Sequence, residues 1–394
     1  MTPSITAVDV VDAAVPLPVG SPVHQLRHQR DKVVAATQGS YDAIFDPALG
    51  RIDGVGRPHS ADSADSADTA DSAGLTLAER LMAARTVAEL SGGTVLAAHY
   101  GQRLAALSVP APSARLDAIL QFSRTLALRP VEGDKTALLT LPAAGLSTPD
   151  VIALAQLIAF ITYQVRVVAG LKALADLGEG GAPPPVDEAA PFVHPSNLPA
   201  PGEPVRLNGY TSETLGWKAW LPVLDLAEAT PLQMDVLKAS HPKATSSDYY
   251  LTLVHQPRIL EERSVVFNAI MYAPGGLSRA ERELASAVVS RVNGCVYCAS
   301  VHAQRFEQLT KRNDVIVQVF TEPQGAGTTA RERAIVQASI DLTRDPAGFG
   351  HDRLTAMRAA GLSPLALLDL VHAVAIFAWA NRLMLNLGEA VFPD

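Results

Sequence analysis

The chain has 394 residues, 48% of them hydrophobic and only 5% aromatic, with 40 acidic against 32 basic side chains and a net charge of −8. At roughly 100–200 residues per domain, this length suggests two or three domains. The acidic balance, and the lack of any long Lys/Arg run, argue against a nucleic-acid partner.

The opening Met1–Pro18 has no basic stretch leading into an apolar core. No signal peptide is therefore expected, and the chain reads as cytoplasmic. Residues 1–177 read as a first helical domain. It is interrupted at 59–73 by repeated Ser-Ala-Asp triplets, which have no apolar face to bury and read as a flexible insertion. The apolar stretch Val151–Val165 stops at Arg166, too short for a membrane span of about 18 or more apolar residues, and reads as a buried helix. The Pro- and Gly-rich residues 178–205 read as an interdomain linker. Trp217 and Trp220 are expected to anchor the segment that follows it.

Residues 206–394 form the expected second domain. Ala285, Val288, Val289 and Val292 repeat at i, i+3, i+4, i+7 and predict one buried helix face. Asn293-Gly294 ends that helix, and a new one is expected near Cys295. Further helices are expected at about 326–345, 351–360 and 364–388, the last starting from an Ser363 N-cap and Pro364. The apolar stretch 364–385 carries Asp369, His372, Asn381 and Arg382, so it too reads as a core helix, and no membrane association is expected. No alternating run predicts strands. The expectation is an all-α chain of two tandem helical domains.

The two halves look like copies. Leu75-Thr-Leu-Ala-Glu-Arg80 matches Leu277-Ser-Arg-Ala-Glu-Arg282, and Ser40-Tyr-Asp-Ala-Ile-Phe45 loosely matches Val266-Phe-Asn-Ala-Ile-Met271. Ala143-Ala-Gly-Leu-Ser147 matches Ala359-Ala-Gly-Leu-Ser363, at the same separation of 216 positions as Arg166 and Arg382. Matches in the same order indicate a tandem duplication. The two arginines are expected to make buried salt bridges or to bind backbone carbonyls.

The chain has two cysteines, Cys295 and Cys298. In a reducing cytosol such a pair points to redox or metal chemistry rather than a structural disulfide. A cysteine at a helix start is favoured as thiolate, the form that attacks a peroxide. His302 is four positions after Cys298, on the same helix face, and can take the thiol proton. Glu283, on the preceding helix, can orient His302, which gives a Glu–His–Cys relay. Asn293 and Tyr297 flank the pair as supporting residues, Tyr297 more for packing than catalysis. A zinc site needs about four ligands, and only three are local, so no metal or bound cofactor is expected.

Glu283-x11-Cys295-x2-Cys298-x3-His302 resembles the signature of the alkylhydroperoxidase AhpD family, within the carboxymuconolactone decarboxylase-like superfamily. Phe267-Asn-Ala-Ile-Met-Tyr272 and Ser290–Cys298 resemble its peroxidase-related branch, and the resemblance covers about 206–394. It implies that Cys298 is the peroxidatic cysteine, and that Cys295 resolves it to a disulfide and then meets an external thiol reductant. His302 and Glu283 would move protons. AhpD proper carries a histidine where this chain has Tyr297, so its lipoyl-protein reductant is not carried over. The family's habit of forming trimers or hexamers implies a homo-oligomer: a trimer of two-domain chains, with a dimer as the alternative.

The N-terminal half lacks cysteine. Aligning His99 with His302 places Gly92 and Val95 at the cysteine positions and Arg80 opposite Glu283, at the cost of a one-residue shift from the Leu75 match. The leading expectation is a thiol-dependent peroxidase that reduces alkyl hydroperoxides or hydrogen peroxide with a dithiol or thiol-protein donor. The alternatives are a general thiol–disulfide oxidoreductase, a carboxymuconolactone-type lactone decarboxylase, and a non-enzymatic redox-sensing module.

Overall fold

Several helix starts fall where the sequence supplies side-chain caps, as at Thr76, Ser147, Thr230 and Ser278. The computed structural model describes residues 9–46, 74–108, 110–178 and 197–393. The insertion at 59–73 and most of the expected linker, residues 179–196, lie outside the described residues. The first half forms α1 (Val10–Ala14), α2 (Pro22–His28), α3 (Asp31–Phe45), α4 (Leu77–Leu90), α5 (Thr94–Ala105), α6 (Ala114–Leu128), α7 (Lys135–Ala143) and α8 (Thr148–Leu177). The second forms α9 (Pro231–Ser240), α10 (Asp248–Leu253), α11 (Pro257–Met271), α12 (Arg279–Val292), α13 (Val296–Thr310), α14 (Asp314–Thr321), α15 (Ala330–Arg344), α16 (His351–Ala359) and α17 (Pro364–Asn386).

The fold is all-α. Its strands are two short antiparallel pairs, which period-2 patterning did not reveal because they span two to four residues. β1 (Arg206–Leu207) pairs with β2 (Tyr210–Thr211), and β3 (Gly216–Ala219) with β4 (Gly388–Val391). The second pair ties the segment after the linker to the chain's end, and Trp217 adds a hydrogen bond from Nε1 to the Met384 carbonyl at 3.0 Å.

The same local solutions recur at fixed spacing. α4 and α12 start 202 positions apart, as do α5 and α13, whereas α6/α15, α7/α16 and α8/α17 start 216 apart because α14 is intercalated. Thr76 with Glu79, and Ser278 with Glu281, close capping boxes at α4 and α12. Arg115 binds Glu79 and the Gly145 carbonyl, and Arg331 binds Glu281 and the Gly361 carbonyl. These pairings fasten each helix start to the turn before the long helix of its half.

The halves share one hydrophobic core. α8 and α17 are long and apolar enough to cross a membrane by length and composition, yet both are buried inside the fold and pack on each other. A side chain at Gly170 of α8 would overlap Val371 of α17, so the glycine permits the close approach. Each long helix also holds a buried arginine that binds carbonyls rather than acids. Arg166 donates to the Thr343 carbonyl (2.6 Å), at the end of α15. Arg382 donates to the Leu126 (2.8 Å) and Ala127 (3.1 Å) carbonyls, at the end of α6. Ala127 and Thr343 are themselves 216 positions apart, so the two contacts are reciprocal.

A buried ion cluster completes the junction. Asp369 of α17 accepts from Arg30 (2.7 Å), Arg282 (2.6 Å) and the Leu277 amide (3.1 Å). Removing one partner of such a buried pair typically costs about 3–5 kcal/mol. Nearby, burial first, and then the charges of Arg27, Arg30 and Arg282, push His372 down to about 3. The unfolded chain, with an ordinary value of 6.5, takes up a proton that the folded chain refuses. The stabilisation is therefore complete above that value and is lost as pH falls toward about 3. The position 216 earlier is Gln156, which suggests an isosteric neutral test. Urea unfolding should show the wild type losing stability between about pH 7 and pH 5, and His372→Gln losing clearly less; equal losses would place the acid sensitivity elsewhere.

Candidate active site

Gly294 makes the turn between α12 and α13, with φ +78°, a conformation that costs glycine little. Asn293 before it keeps an ordinary helical φ of −80°, so the turn's left-handed residue is Gly294 alone. Cys295 follows as the N-cap of α13, and Cys298 sits in the first turn. Both are buried free thiols. α12 packs along α13, which brings Glu283 under His302.

His302 Nδ1 lies 2.5 Å from Glu283 Oε2, and Glu283 is fully buried. Its other oxygen accepts from Arg279 Nε. Burial pushes the Glu283 carboxyl up, but His302 and Arg279 more than offset this, and it ends below the ordinary value. The carboxylate is therefore ionised, fixes the ring through Nδ1, and leaves Nε2 as the free ring nitrogen. The edge of Phe377 closes over the imidazole with ring centroids 4.3 Å apart. Arg279 is itself stacked on Tyr272, 4.4 Å from the ring centroid.

Cys298, His302 and Glu283 line a cavity of about 710 Å³, together with Tyr249, Arg263, Phe267 and Phe377. Cys295 does not line it and is 1% exposed. Burial pushes the Cys295 thiol well up, and the adjoining Cys298 adds to the effect, while a hydrogen bond to the Asn381 side chain lowers it. Cys295 is thus a neutral thiol at rest. Asn381, fully buried in α17, also donates to Ser290 Oγ (3.0 Å) and accepts from Asn293 Nδ2 (3.0 Å). Tyr297 lines the cavity, and burial pushes its phenol up to about 12. It remains protonated at neutral pH and cannot act as the base.

The sequence-derived residues are therefore brought together: Glu283, His302 and Cys298 at the cavity, Cys295 behind them, Asn293 in the supporting network. Cys295, expected to meet the reductant, is instead shielded from the cavity. Sequence reasoning missed Arg279, although its place four residues before Glu283 on one helix face was a usable signal. It also missed the role of Asn381, because a partner about 90 residues away leaves no local trace.

The first half offers different residues at the matching places. The constant spacing of 202 between α4 and α12, and between α5 and α13, sets Gly93, Leu96 and Tyr100 against Cys295, Cys298 and His302, and Leu81 against Glu283. The one-residue shift that paired His99 with His302 is not needed. His99 instead contacts Tyr41 Oη at 2.7 Å.

An all-α fold with a buried Glu–His pair beside a Cys-x-x-Cys helix start defines the class. Residues 258–341 match the model of the carboxymuconolactone decarboxylase family. The matched span runs from α11 into α15 and contains Glu283, both cysteines and His302. Among solved structures, a peroxidase-related protein from Silicibacter sp. TM1040 is similar at 24% identity, over 41% of this chain and 86% of its own, with a TM-score of 0.35. No curated protein matches the chain.

Because Cys298 lines the cavity and Cys295 does not, brief alkylation of the reduced protein should label Cys298 first. Peptide mass spectrometry should find Cys298 modified at least about tenfold faster, as the burial difference and the raised Cys295 thiol require. Equal labelling would show that both sulfurs are reached.

Proposed function

We propose that the second half is a thiol peroxidase that reduces hydroperoxides at Cys298. The observation that carries this reading is the cavity that holds Cys298 beside His302, whose Nδ1 is held by Glu283. His302 Nε2 takes the Cys298 proton, and the thiolate attacks one peroxide oxygen. The O–O bond breaks, Cys298 becomes a sulfenic acid, and the alkoxide leaves as the alcohol with the proton that His302 returns. The Cys295 sulfur then displaces hydroxide from the sulfenic acid, giving water and a disulfide. Two reducing equivalents from an external dithiol restore both thiols. Its approach is through the cavity, so the reductant's sulfur attacks Cys298, and Cys295 leaves. The Asn381 side chain, hydrogen-bonded to Cys295, supports that departure by favouring the thiolate. The first half, with Gly93 and Leu96 in place of the cysteines, contributes no thiol chemistry and supports the site through α8 and the shared core.

Cys298→Ser should abolish consumption of cumene hydroperoxide with a dithiol donor; unchanged turnover in that variant rules the mechanism out. Glu283 acts through His302 and is a positioning residue. Glu283→Gln should lower kcat/KM by about tenfold to a hundredfold, because His302 loses the carboxylate that holds its Nδ1. Unchanged kcat/KM would reduce Glu283 to a packing role. Lactone decarboxylation, the reaction in the family's name, would instead survive replacement of both cysteines.

A further inference from the structure

Arg263 of α11 is the feature of the cavity that this mechanism does not use. It is 4% exposed, yet its Nε has no hydrogen-bond partner, and among the described residues no carboxylate pairs with its guanidinium. Its guanidinium lies against two aromatic rings, with Cζ 5.5 Å from the Tyr249 ring centroid and 5.9 Å from that of Phe267. Tyr249 is itself 5% exposed, and its hydroxyl also has no partner. Both side chains line the cavity that holds Cys298.

A buried guanidinium without a counter-ion is expensive, by several kcal/mol in ordinary protein interiors. Its planar fork suits a carboxylate, which can also accept from the neighbouring phenol. The charge balance of the walls points the same way. Five cationic side chains line the cavity against two carboxylates, Asp248 and Glu283, and Glu283 is already committed to Arg279 and His302. Phe267, Met271, Phe377 and Met384 supply apolar wall for a hydrocarbon body. The volume of about 710 Å³ is in the range that encloses a ligand far larger than hydrogen peroxide. One guanidinium with one phenol matches the acceptors of a carboxylate better than those of a phosphate, which would leave more oxygens unpaired.

Resting on the peroxidase reading above, we propose that the physiological substrate class is an organic hydroperoxide with an apolar body and a carboxylate, bound through Arg263 and the Tyr249 hydroxyl.

The test compares a long-chain fatty acid hydroperoxide with its methyl ester on the wild-type protein. The acid should be preferred at least about tenfold in kcat/KM, a difference of about 1.4 kcal/mol. In Arg263→Gln the preference should collapse to near unity, and Arg263→Lys should restore part of it. Equal rates on acid and ester, or a preference that Arg263→Gln leaves unchanged, overturn the proposal. Calorimetry on the wild-type protein with the redox-inert pair dodecanoate and 1-dodecanol gives a readout independent of turnover and of variant folding. Dodecanoate should bind at least about tenfold more tightly; equal binding also overturns the proposal. The two readings fail separately. Consumption of cumene hydroperoxide without any acid preference removes the carboxylate site and leaves the peroxidase. Selective dodecanoate binding without any peroxide consumption removes the peroxidase and leaves the site.

Discussion

Helices α8 and α17 are predominantly apolar, and burial against each other and their own halves removes that surface from water. Everything else is arranged around this pair. The close approach at Gly170 and Val371 sets their separation. Arg166 and Arg382 then fasten each long helix to the carbonyl end of a helix from the other half. An arginine in an apolar helix is costly unless its guanidinium finds acceptors, and free carbonyls at a helix end are natural partners. Each contact gives a buried guanidinium an acceptor and a helix-end carbonyl a donor.

The geometry of the candidate site rests on that junction. α17 delivers Phe377 to the edge of His302, Asn381 to Cys295, and Asp369 to Arg282 at the start of α12. α12 in turn carries Glu283 to His302. The cysteine pair thus sits at the start of α13, while its surroundings come from α12 and α17. The two cysteines are differentiated by depth: Cys298 meets the cavity, and Cys295 is held behind it next to an amide.

Some of this was legible in the residues alone. The period of Ala285, Val288, Val289 and Val292 located α12, and the spacing of Cys298 and His302 put both on one face of α13. Ser363 and Pro364 marked the start of α17 because an N-cap hydrogen bond is local. Glu283 was visible as a partner for His302 because they lie on the two helices that flank one turn. Arg263 was not, since nothing in its neighbourhood reveals that a cation in α11 will be buried without a carboxylate. The offset between the halves was misjudged by one residue at His99, because a lone histidine is a weaker marker than a run of helix boundaries.

The sequence by itself determined the helical character, the internal correspondence of the halves, and the residues of the candidate site. These depend on periodicity, capping and short spacing, which act within a few turns of chain. Only the tertiary structure decided that the halves share one core rather than standing apart, that Arg166 and Arg382 bind carbonyls, and which cysteine faces the cavity. Those outcomes depend on which distant surfaces come together, and on the cost of leaving a buried polar group without a partner.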